Sequence, residues 1–130
     1  MSEATRVLPC PEVNAENRAY WEAATAGRLL LKHCRACGSS HHYPRAICPH
    51  CFSSATEWSE SAGLGAIYSF SVMRRVPQPY ALAYVTLDEG VTMMSNIVEA
   101  DLDTLAIGQR VKVAFRPSSG AFLIPVFVPA

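Results

Sequence analysis

The sequence has no apolar run close to the roughly 20 residues that a membrane-spanning helix needs. Its first residues, Met-Ser-Glu-Ala-Thr-Arg, lack the basic-then-apolar order of a secretory leader, so we expect a cytoplasmic chain with no membrane partner. It has no excess charge of either sign: 11 Lys and Arg balance 11 Asp and Glu. That balance, with no Lys/Arg-rich tract, argues against nucleic acid or an anionic membrane as the dominant partner. Internal repeats and low-complexity tracts are absent as well. No nucleophile with a base and an orienting acid stands out. Ser69 and Ser71 lie in a strand pattern without such neighbours, and Asp88 and Glu89 are read as hairpin charges. We therefore expect no catalytic residues and no independent enzymatic activity.

Half of the 130 residues are hydrophobic, enough for one domain or two very small ones. Residues 1–27 read as an arm followed by a helix. Asn14 is expected as the N-cap and Gly27 as the C′ residue, with Tyr20, Trp21 and Ala24 on the apolar face. Residues 28–62 hold a short strand at 29–31 and then the cysteine region. Gly63-Leu64-Gly65 reads as a flexible join, and residues 63–130 as β structure. Strands are expected at 66–73, 80–87, 91–98, 110–115 and 122–128, with a hairpin turn at Asp88-Glu89-Gly90. A helical turn at 101–105, capped by Asp101 and ended by Gly108, would separate the third strand from the fourth. Five strands with a turn at that place match the order of an OB-fold barrel. The fold class is thus mainly β, with an N-terminal helix, a cysteine-bearing ribbon and a five-stranded barrel, another small five-stranded barrel being the alternative to the OB-fold.

Four of the five cysteines form two matched pairs, Cys34-Arg35-Ala36-Cys37 and Cys48-Pro49-His50-Cys51. Such spacing in an intracellular chain points to metal rather than disulfides. A tight turn between paired cysteines aims both sulfurs at one point, and its N–H groups can donate to the thiolates. Two such turns supply four soft anionic ligands for tetrahedral Zn²⁺ and leave no open position, so the site is expected to be structural. An iron electron carrier with similar knuckles is the rival. Gly38 follows the first pair, where a left-handed backbone is accessible to glycine. Phe52 holds the matching place after the second pair, so either Phe52 is strained or that turn has another shape. His33, His41, His42 and His50 crowd the region and are read as surface or supporting residues. Cys10 is unpaired and is read as a small residue of the arm.

Several segments occur together in a familiar order. They are Tyr20-Trp21-Glu22, Gly27-Arg28-Leu29-Leu30-Leu31, the two knuckles, Pro79-Tyr80, Leu87-Asp88-Glu89-Gly90 and Ile107-Gly108. From about residue 12 to 128 the chain resembles the acyl-CoA-associated family with a rubredoxin-like zinc ribbon and an OB-fold, long catalogued as a domain of unknown function. Phe52 departs from it, since the family usually has glycine there. The resemblance implies an accessory subunit in a hetero-oligomer with a thiolase-fold protein: a thiolase, a lipid-transfer-protein-like aldolase or an acyltransferase. Some members pair with hydratases. The partner would carry the nucleophile, and this subunit would stabilise it and help form its acyl-CoA channel.

An obligate subunit should present apolar surface. Tyr20 and Trp21 are the partner-binding candidates, with the run 122–128 as a further one. The coenzyme A moiety of a partner's substrate would need cations at its phosphates. Arg74 and Arg75, beside Tyr80, and Arg45 between the knuckles are the candidates. A nucleic-acid-binding module is the competing function. Phe70, Tyr68 and Tyr84 could stack bases, and zinc ribbons and OB-folds both serve that role.

Overall fold

The computed structural model describes residues 6–130, so the first five residues of the expected arm lie outside the described residues. Residues 8–10 of the arm run beside the turn at 118–120. Leu8 bridges Ser118, the Ser119 N–H donates to the Leu8 carbonyl, and the Cys10 N–H donates to Ser119 Oγ.

The helix α1 spans Arg18–Thr25, three residues later than an N-cap at Asn14 implies. The Asn14 carboxamide is used one turn earlier, where Oδ1 accepts the N–H groups of Glu16 and Asn17. Asn17 is the residue that caps α1, and it is buried. The C-terminus ends as expected. Gly27 takes φ +84°, with the Arg28 N–H on the Ala23 carbonyl and the Gly27 N–H on that of Ala24, a Schellman motif. No helix among the described residues is long and apolar enough to cross a membrane.

The ribbon is a three-stranded antiparallel sheet in the order β2-β1-β3, from β1 (Leu30–Cys34), β2 (Ser40–His41) and β3 (Thr56–Glu60). The barrel contains β4 (Leu64–Met73), β5 (Tyr80–Leu87), β6 (Thr92–Ile97), β7 (Arg110–Pro117) and β8 (Leu123–Pro129). It closes in the order β4-β5-β6-β8-β7, with β7 returning to β4. The β6–β8 pairing is parallel and all others are antiparallel, the arrangement of an OB-fold. The expected helical turn at 101–105 is one hydrogen-bonded turn, with the Thr104 N–H on the Asp101 carbonyl. The side chain of Asp101 accepts the Asp103 N–H, which holds the turn without a helix.

One apolar core joins the parts. Tyr20 and Trp21 of α1 and Leu29, Leu30 and Leu31 pack in the same cluster as Ile67, Val85, Val111 and Phe127 of the barrel. The expected flexible join is pinned. Glu89 accepts from Ser61 Oγ and the Ala62 N–H, Ser61 Oγ accepts from the Gly63 N–H, and the Gly63 carbonyl accepts from the Val113 N–H. Asp88 and Glu89 therefore do more than solubilise a hairpin. Asp88 forms a bidentate pair with Arg110, tying the β5–β6 turn to the start of β7, and that guanidinium holds its carboxyl below the usual carboxylate range.

Candidate metal centre and the groove beside it

The two knuckles have one geometry. The Gly38 N–H donates to the Cys34 carbonyl at 2.9 Å, and the Phe52 N–H donates to the Cys48 carbonyl at 2.8 Å. In turn, the Cys34 N–H donates to the Ser39 carbonyl and the Cys48 N–H to the Ser53 carbonyl. Gly38 has φ +79° and Phe52 φ +65°. The second turn thus keeps the shape that glycine favours, and Phe52 bears the steric cost while 79% exposed.

The four Sγ atoms of Cys34, Cys37, Cys48 and Cys51 lie within 4.8 Å of one another. The Cys34–Cys51 and Cys37–Cys48 separations are 3.6 and 3.7 Å. Sulfurs about 2.3 Å from a central zinc would form a tetrahedron with edges of about 3.8 Å, so the donor set suits the ion. The His50 N–H points at Cys48 Sγ at 3.3 Å, the kind of donor a thiolate needs. The Ser39 N–H draws the Cys37 thiol down to about 6. The Ser53 N–H acts the same way on Cys51, but loss of solvation and the three neighbouring thiols outweigh it and push Cys51 up to about 12. Four crowded thiols compete for protons, a conflict that a dication removes by holding them all as thiolates.

The histidines are not a uniform outer ring. His33 Nδ1 meets Ser40 Oγ, and His41 is buried, with Nε2 accepting the Arg45 N–H. His42 turns away from the sulfurs and places Nε2 2.9 Å from the Tyr20 hydroxyl. Burial, with a smaller contribution from His41, drives the His42 ring down to about 4, so it is neutral at pH 7. Next to it, the Tyr43 hydroxyl accepts the Trp21 indole N–H at 2.6 Å and the Asn17 amide at 3.0 Å. This network fastens the helix to the ribbon. It also forms one wall of a groove of about 460 Å³ whose floor is the outer face of β5 and β6.

Tyr20 and Trp21 are 2% and 8% exposed, occupied with the chain's own core and visible only as part of that wall. The run 122–128 is mostly β8, and its Val126 and Phe127 are fully buried. Arg45 is paired at 4.0 Å with Glu16, and Arg74 at 2.9 Å with Asp103. The Arg6 guanidinium lies 3.8 Å over the Tyr80 ring. None of Arg45, Arg74, Arg75 and Tyr80 lines the groove. The groove itself went unread in the sequence, although one signal was there: β4, β5 and β6 contain no charged residue.

Residues 21–57 match the family pattern described as "ChsH2, rubredoxin-like zinc ribbon domain", and residues 58–116 that described as "ChsH2, C-terminal OB-fold domain". A "DUF35 domain-containing scaffold protein" of Methanothermobacter thermautotrophicus is 36% identical over 90 residues, covering 64% of this chain and 68% of that protein. The chain belongs to the ChsH2-type DUF35 family. A "Probable enoyl-CoA hydratase alpha subunit" of Thermomonospora curvata is 35% identical over 127 residues, or 94% of this chain. This chain spans 40% of that relative's length. Among solved structures, a chain of the "Ltp2-ChsH2(DUF35) aldolase" superposes with a TM-score of 0.82 at 34% identity. The match covers 92% of this DUF35 chain and 98% of that one.

Proposed function

We propose that this DUF35 protein is a non-catalytic accessory subunit that binds and stabilises a thiolase-fold partner and helps form its acyl-CoA channel. The observation that carries this reading is the superposition of nearly the whole chain on the corresponding chain of an aldolase named for two components. The names scaffold protein and hydratase alpha subunit among the relatives point the same way. The ribbon's ion is read as Zn²⁺, held by Cys34, Cys37, Cys48 and Cys51 with no position left for substrate, and so structural. The partner supplies the nucleophile.

The test is co-expression of the tagged chain with thiolase-fold proteins encoded in its gene neighbourhood, followed by size exclusion and an acyl-CoA turnover assay. A defined hetero-oligomer whose activity is lost when this chain is omitted supports the reading. Turnover by the isolated chain, or no complex with any of those proteins, overturns it. Arg45, Arg74, Arg75 and Tyr80 are retained as candidates for the coenzyme A moiety. Replacing Arg74 and Arg75 together by Ala should weaken coenzyme A binding by the complex, and unchanged affinity removes them.

A further inference from the structure

The solvated face of an antiparallel sheet normally carries Lys, Glu and Arg. Here the three strands β4, β5 and β6 have none. Their register sets outward side chains in rows: Ser69–Tyr84–Met94 and Ser71–Leu82–Asn96. Tyr84 is 48% exposed and Met94 58%. A second depression, of about 230 Å³, runs over β4 and shares Leu82, Tyr84 and Met94 with the first, so the two adjoin at these side chains and together make an apolar trough across the face. The ion pairs lie outside these strands, at Arg28–Glu60, Arg45–Glu16, Arg74–Asp103, Arg110–Asp88 and Arg116–Glu99.

Hydrogen-bond accounting at the head of the trough adds a chemical preference. The Tyr20 hydroxyl is buried, and His42 Nε2 is the acceptor within its reach. A buried donor left unpaired is costly, so Tyr20 donates to Nε2 and the neutral His42 carries its proton on Nδ1. That Nδ1 has no partner among the described residues and is not among their sealed, unpartnered atoms. The Tyr43 oxygen uses both lone pairs on Trp21 and Asn17, which leaves its own proton free to donate. The trough therefore offers an apolar floor with two neutral donors at one end. It suits neutral carbonyl acceptors on an apolar body, and it lacks the cations that a nucleic-acid backbone requires.

We infer that the uncharged outer face of β4, β5 and β6, with His42 and Tyr43 at its end, docks an apolar, uncharged polypeptide segment of the partner subunit. This inference rests on the accessory-subunit reading. A polypeptide provides both the apolar side chains for Tyr84, Leu82 and Met94 and the backbone carbonyls for the two donors. Tyr and Met are also enriched at the centres of protein interfaces. The middle strand β5 has both edges paired along its length, by β4 and β6, so recognition over this face uses side chains.

The test uses the intact chain and a thiolase-fold protein that assembles with it. Tyr84→Lys with Met94→Glu places opposite charges on cross-strand neighbours, and Tyr84→Ala is a milder truncation at an exposed position. Lys112→Glu, on β7, is the control. Circular dichroism and zinc content establish that each variant is folded. The expected result is at least about a tenfold loss of affinity for the double variant and about tenfold for Tyr84→Ala, with the control unchanged. Wild-type affinity should vary little with salt, because no charged pair is made across this face. If the wild-type complex forms and both Tyr84 variants bind as tightly, the docking face is refuted while the accessory-subunit reading stands. If no thiolase-fold protein assembles with the wild type, both fall. Saturable binding of methyl octanoate that is lost in the double variant, with assembly intact, would identify a small-molecule site and overturn the inference.

Discussion

Acidification should destabilise this protein through His42 in a defined window. In the unfolded chain the ring takes up a proton as the pH falls through about 6.5, whereas in the fold it stays neutral until about 4. Between those values the unfolded state binds more protons, so stability drops as the pH falls and this contribution is flat outside the window. The gap is equivalent to about 3 kcal/mol at full development. Set against the roughly 5–15 kcal/mol typical of a small domain, that is a large fraction. The structural origin is burial of the ring between helix and ribbon, with a smaller contribution from His41; the Tyr20 hydroxyl is paired with the neutral ring's Nε2. The assay is urea denaturation of wild type and His42→Gln at closely spaced pH values from 7.5 to about 4, within the window set by this linkage. Carboxylates, cysteine thiolates and His41, whose ring is also held down by burial, titrate in both proteins and cancel in the comparison. The wild type should lose about 3 kcal/mol more than the variant over the window. Parallel pH profiles would show that His42 is not kept neutral by the fold, and the hydrogen-bond assignment at the head of the trough would fall with it.

Cys34→Ser should abolish stoichiometric zinc and leave the ribbon protease-sensitive, since metal binding and ribbon folding are one equilibrium; a folded, metal-free variant would refute this. Gly65→Ala should lower stability by about 1–3 kcal/mol, because the new methyl would sit 2.5 Å from the Thr86 carbonyl oxygen and 3.1 Å from Leu87 Cα, where backbone must move. An unchanged urea midpoint would contradict that. Phe52→Gly should keep zinc and raise stability by up to about 1 kcal/mol. Relief of about 1–2 kcal/mol of left-handed strain exceeds the roughly 0.5–1 kcal/mol entropic cost of glycine, and little burial is lost. A clear loss of stability would mean that the aromatic ring contributes to the fold despite its exposure.

Some of this structure was legible because it depends on local chemistry. Two cysteine pairs form turns that aim their sulfurs together wherever they occur, so the ligand set could be read from spacing alone. Gly27, Gly90 and Gly108 marked turns because positive φ is inexpensive for glycine, and all three adopt it. Strand positions followed from β-branched and aromatic runs, as with Tyr80–Leu87, which matches residue for residue. Asn14 was misread because an Asx turn and a helix cap use the same side-chain chemistry. Which of them forms depends on the burial of Asn17 against Tyr43, a contact between residues 26 positions apart.

The sequence by itself determined the knuckles and the five barrel strands along the chain, because these follow from short-range stereochemistry and hydrophobic period, whereas the ribbon strands Ser40–His41 and Thr56–Glu60 carried no such signal. Only the tertiary structure decided that Tyr20 and Trp21 face inward, that His42 belongs to the helix rather than to the sulfurs, and that an uncharged trough lies between helix, ribbon and barrel. Those outcomes depend on which surfaces meet when the barrel closes, and long-range contact is not encoded in any single stretch of residues.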